Sequence, residues 1–156
     1  MSLLLALLLA APAEDLGAAL ERYEHRLGEA IAAAEAPGPL REHALKLLEL
    51  AATITPAFIA AHPNCGPYLE AALTVKERWP LLGPESIERD FHRDGALPQG
   101  APALCYHMKD LIVHPATVLV LLAHGVSDGA QLRRELDEIG AHIGAVRALL
   151  SSPPSP

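Results

Sequence analysis

Aromatic side chains are scarce in this chain: one Trp, three Tyr and two Phe make up 4% of its 156 residues. A β-sandwich draws its core from aromatic and β-branched residues, so the shortage points instead to Leu, Ala, Val and Ile packed between helices. Positive charge is short as well. Lys and Arg total 12 against 19 Asp and Glu, a formal net charge of −7. Without a basic surplus to neutralise a phosphate backbone, a nucleic-acid partner is not expected. Cysteine is limited to Cys65 and Cys105, with no C-x-x-C spacing. That disfavours a cysteine-based metal or redox site and excludes the C-x-x-C-H attachment of c-type haem. No apolar run of the roughly 20 residues that a bilayer needs is apparent, so no membrane span is expected. The N-terminal run is too short, and Leu111 to Ala123 is interrupted by His114 and Pro115. A phosphate-binding Gly loop, H-E-x-x-H, G-x-S-x-G and the paired Glu-x-x-His of di-iron bundles are all missing, and nothing marks the chain as an enzyme.

What is present begins at the N-terminus. Ser2 to Ala10 is uncharged and mostly Leu and Ala. Ala11-Pro12-Ala13 follows as a small-x-small pattern, and then the acidic pair Glu14-Asp15. That is the layout of a secretory signal peptide, although only the amino terminus supplies positive charge ahead of the apolar core. An exported chain can oxidise its two thiols, so Cys65 and Cys105 are expected to form a structural disulfide and the protein to be periplasmic or secreted. Closing a loop of that length contributes about 4 kcal/mol in the chain-entropy model.

Periodicity is helical almost throughout. Leu16, Leu20, Tyr23, Leu27, Ile31 and Ala34 recur at three- and four-residue steps, and Pro37-Gly38-Pro39 should stop that helix. Leu40, Ala44, Leu47, Leu48, Ala51, Ile54 and Phe58 mark a second stripe, which Pro56 should kink or end near Thr55. Leu104, Met108, Leu111, Val118 and Leu122 mark a third, and Leu132, Leu136, Ile139, Ile143, Val146 and Leu150 a fourth. Between the second and third, His62 to Ala101 holds two short helical segments, Tyr68 to Trp79 and Pro84 to Arg93. The predicted architecture is all-α: a four-helix bundle of two antiparallel hairpins joined by a long connection with two short helices. Residues 1–13 would be the signal peptide, 14–150 a single domain and 151–156 a disordered tail.

Chemistry is concentrated in the histidines. His25, His43, His124 and His142 fall beside the apolar stripes or at a helix end and read as solvated groups. His107 and His114 share a flank of the third helix. They lie two turns apart, about 10 Å along the axis, too far to ligate one ion together. Asp90, His92 and Asp94 form a compact run that converges only if the helix frays. On a regular helix Lys109 should face away from Tyr106. A bridge from Cys65 to Cys105 would bring His62 toward Tyr106 and His107. The candidate ligands are therefore His62, Asp90, His92, Tyr106, His107, Met108 and His114. Imidazole with carboxylate suits zinc or copper(II), Met would favour copper(I), and haem is a weaker alternative. The expected role is an exported, non-catalytic binding protein for a metal or small ligand. The alternative is a periplasmic protein-interaction or structural module whose histidines carry no cofactor; behind it stand a haem-binding bundle and an enzyme whose pocket would gather His92, His107 and Asp110.

Overall fold

A computed structural model describes residues 15–151, and the expected signal peptide and tail lie outside them apart from Ser151. Every regular element among the described residues is helical. Four are long: α1 (Leu16–Ala32), α2 (Pro37–Ala61), α6 (Ala103–Ala123) and α7 (Gly129–Ser151). The connection is richer than the two short helices expected. It carries α3 (Gly66–Leu73), α4 (Val75–Arg78) and α5 (Pro84–Ile87), two 3₁₀ turns, and a π-helical segment, Glu88–His92. The long helices touch pairwise: α1 against α2 and α7, and α6 against α2 and α7.

Helix boundaries follow local chemistry. Asp15 caps α1 through Gly17, and Asp128 Oδ1 accepts from the Ala130 and Gln131 amides at the start of α7. The Pro37-Gly38-Pro39 cluster opens α2 rather than separating it from α1, because proline is tolerated in a first turn whose amides have no intrahelical partner. Pro56 does not end α2, which continues to Ala61. Contrary to the expectation that no such segment is present, α2 is by length and composition apolar enough to cross a membrane. Here it is a core helix, with Leu40, Ala44, Leu47, Ala51 and Phe58 fully buried.

The third stripe proves too narrow a description of α6. Every residue from Met108 to Leu121 is buried, because α2, α3, α4, α5 and α7 all pack onto this helix. Cys65 and Cys105 are paired, with sulfurs 2.06 Å apart, and fasten the start of α3 to the first turn of α6. Pro115 also lies within α6. It has no N–H to give the carbonyl of Leu111, four residues earlier. Tyr23 of α1 supplies the missing donor: its hydroxyl bonds Leu111 O at 2.6 Å in the core. Tyr23→Phe should therefore cost about 1–3 kcal/mol, the penalty for a buried unpaired acceptor. In a Pro115→Ala background the amide is restored, and the same change should cost clearly less. Urea unfolding of the four-member cycle measures this, and equal costs in both backgrounds would refute the compensation.

Candidate metal centre

Among the described residues, five polar residues are buried in the core: Thr55, Lys109, Asp110, His114 and Thr117. The two threonines bond carbonyls of their own helix, Ala51 O and Val113 O. The other three sit on consecutive turns of α6 and find their partners on α7 and on the connection. A buried polar group without such partners is costly, so these three residues locate the site.

The π-helical segment brings the connection to α6. Its wider turn ends with Asp94 at a left-handed φ of 57°, followed by Gly95, where a Cβ would stand 2.5 Å from Arg89 O. The terminal carbonyls of Phe91 and His92 are then met by Lys109 Nζ at 3.2 and 3.0 Å. The same ammonium reaches Asp94 Oδ1 at 3.1 Å and Asp110 Oδ1 at 2.9 Å. It also lies 4.3 Å from the centre of the Tyr106 ring, so Lys109 does not face away from Tyr106 as a regular helical projection suggested. The long side chain curls back over the preceding turn. Tyr68 Oη donates to the other Asp94 oxygen at 2.9 Å, and burial together with that carboxylate raises the Tyr68 pKa.

With its backbone fixed, His92 points its ring at α6. Its Nε2 lies 3.3 Å from His114 Nδ1 and 3.9 Å from Glu135 Oε2 on α7, and His114 Nδ1 lies 3.0 Å from the same Glu135 oxygen. Donors at about 2.0–2.1 Å from a tetrahedral ion stand ~3.4 Å apart. The three atoms thus have the spacing of one face of a tetrahedral coordination shell. The outer nitrogens of both rings face carboxylates: His92 Nδ1 is 3.6 Å from Glu88, and His114 Nε2 is 3.5 Å from Glu138. Such partners orient metal-ligating imidazoles and raise their basicity.

One turn along, His142 of α7 approaches Asp110. His142 Nε2 is 3.3 Å from Asp110 Oδ2, and its Nδ1 is 2.9 Å from His107 Nδ1. Asp110, His114 and His142 form a second set of donors lying mutually within 4.8 Å. His142 is not the solvated group expected from the sequence; only 16% of its side chain is exposed. Burial is the main cause that lowers its pKa to about 4. His114, His107 and Lys109 push the same way, and Asp110 opposes them. Burial also lowers the His92 pKa. The unfolded imidazole titrates near 6.5. Between pH 6.5 and 4 the unfolded state therefore binds more protons, so stability from this source is present above 6.5 and is lost as pH falls toward 4. The melting temperature of metal-free protein should drop over that window, and His142→Gln should flatten the drop. Parallel curves for the two proteins would sink this assignment.

The other sequence candidates are placed as follows. His92, His107 and His114 are gathered on this strip, with His142 standing between His107 and His114. Tyr106 is at its edge, 40% exposed, with its ring 5.8 Å from those of His107 and His142. Asp90 is held by Arg89 in two hydrogen bonds, which lower its pKa, and it belongs to neither donor set. Met108 belongs to the apolar core. His62 packs on Phe58, with ring centres 4.8 Å apart, and lines a cavity of ≈ 300 Å³ with Cys65, Pro102 and Leu104, which puts it beside the start of α6 but in neither donor set. Glu135, Glu138, His142 and Asp94 enter the picture only through the packing of α6 on its neighbours. No protein-family model, no curated protein and no solved structure matches the chain, and its function has to be read from this geometry.

Proposed function

We propose that this chain is an exported helical protein, built as a four-helix bundle with an elaborated connection, that binds a divalent transition metal through His92, His114 and Glu135. The observation that carries this reading is the triangle of 3.0, 3.3 and 3.9 Å between their donor atoms. Two imidazoles and a carboxylate suit zinc or copper(II). Three protein donors leave a fourth position on a tetrahedral ion for water or an exchanging ligand, as in sites that deliver or use a metal. The paired cysteines support work in an oxidising compartment, periplasmic or extracellular. Binding without catalysis is the favoured role, since the sequence carries no recognised catalytic motif. The test is to strip the oxidised protein with chelator, add zinc or copper(II), and measure bound metal and melting temperature. Near-stoichiometric uptake with a rise in melting temperature supports the reading. Protein that retains neither metal and gains no stability refutes it, and leaves an interaction module whose histidines are structural.

A further inference from the structure

We infer that the site holds two metal ions, with the His114 ring as their shared ligand and Asp110 and His142 completing the second position. This inference rests on the metal-binding reading above and extends it to a second ion.

Asp110 carries most of the argument. Its side chain is 2% exposed on the central helix, and its two oxygens are treated differently. Oδ1 takes the Lys109 ammonium at 2.9 Å. Oδ2 is buried, has no hydrogen-bond partner of good geometry and lies 3.3 Å from His142 Nε2, while the Tyr106 hydroxyl also interacts with this carboxylate. A buried anionic oxygen without a well-placed donor is costly, and a cation bound beside it removes that cost. The 3.3 Å separation again matches the ~3.4 Å between neighbouring donors on a tetrahedral ion. His142 has the second feature of a metal-bound imidazole. With Nε2 turned to Asp110, its Nδ1 meets His107 Nδ1 at 2.9 Å, and in the ligating tautomer His142 Nδ1–H donates to His107 Nδ1 and fixes the ring.

The third donor is His114, which belongs to both donor sets. Its Nδ1 is taken by the first triangle with His92 and Glu135. The nitrogen left for the second ion is Nε2, on the other edge of the ring, with Glu138 at 3.5 Å. Binding of the second ion at Nε2 replaces the ring's remaining N–H proton, which leaves to solvent, and the imidazole becomes an imidazolate bridge. Lys109 pairs with Asp110 Oδ1 and Asp94 Oδ1, which leaves Asp110 Oδ2 as the oxygen available to the ion.

The test is metal stoichiometry on the full, oxidised chain. Protein stripped with chelator is loaded with copper(II) or zinc, freed of excess by gel filtration, and analysed for metal per chain. The wild type should retain two ions, and His142→Gln and Asp110→Asn should each retain one. The two variants sit on different helices, so a folding defect in one leaves the other to decide. With copper(II), exchange through the shared ring should bring the integrated spin count well below the copper content. One ion per chain in the wild type, unchanged in both variants, overturns the second position while leaving the first intact. Two ions that persist in both variants, or a full spin for each copper, overturn the shared-ring arrangement. No ion in any of the three proteins overturns the first position as well.

Discussion

His114→Ala should abolish retention of zinc and copper(II), the largest functional effect of any single substitution in this molecule. The side chain is 1% exposed and touches Glu135 at 3.0 Å, His92 at 3.3 Å and Glu138 at 3.5 Å, so no neighbouring group can take its place. Substituting a group that only hydrogen-bonds a metal ligand typically weakens the site by about 10–100-fold. Loss of the central donor should exceed that, at ~10³-fold or more, equivalent to roughly 4 kcal/mol. Glu88→Gln is the internal control. It alters only the group 3.6 Å behind His92 Nδ1 and should stay within the smaller range. A second readout is linkage: free metal at about 100 times its dissociation constant stabilises the wild type by ~2.7 kcal/mol, a gain the variant should lack. Competition titration with a chromophoric chelator measures both. If His114→Ala binds within a few-fold of wild type while Glu88→Gln does not, the donors have been assigned to the wrong group.

The helices were legible in the sequence because their apolar residues keep a 3.6-residue period, and the stripes of α1 and α7 correspond closely to buried residues. What was not legible depends on neighbours that periodicity does not specify. The period alone places Pro115 inside a helix, but the donor that satisfies Leu111 O in its place, Tyr23, lies 92 positions earlier and is visible only in the packing. Helix α6 reads as amphipathic, yet the connection folds over it and buries every face from Met108 to Leu121. That change of environment turns Lys109, Asp110 and His114 from surface groups into a polar core.

The candidate site was visible only in part for a related reason. A search for Glu-x-x-His finds nothing, but Asp110-x-x-x-His114 and Glu138-x-x-x-His142 place acid and imidazole one turn apart, on the same face of their helices. Two such pairs facing each other across α6 and α7 were the available signal. It gains meaning only when both carboxylate–histidine pairs are considered together and their helices are taken as neighbours. His92 was harder still. Its direction is set by the wide π-helical turn and by Asp94 in the left-handed region, neither of which a regular helical projection anticipates.

Lys109→Met should be the most destabilising polar substitution, costing about 3–5 kcal/mol near neutral pH. The ammonium has no exposed surface and joins three parts of the molecule. It ends the π-helical segment at Phe91 O and His92 O, holds Asp94 at 3.1 Å, and neutralises Asp110 at 2.9 Å. Methionine fills much of the same space, so the loss comes from unpaired acceptors rather than from a cavity. Asp110 is the most exposed to that loss, being buried with its second oxygen already lacking a well-placed hydrogen-bond partner. Lys109→Met with Asp110→Asn should therefore cost less than the sum of the two single changes, since the double variant no longer buries the Asp110 charge alone. Urea unfolding of metal-free protein provides all the terms. A single-variant loss below about 1 kcal/mol, the size of a surface pair, would mean that solvent reaches this ammonium and that it does not organise the site. A large loss with positive coupling to Asp110 would identify Lys109 as the cation that lets α6 carry a buried carboxylate beside an imidazole, the condition on which the second proposed metal position depends, while its bond to His92 O ties the first position to the same ammonium.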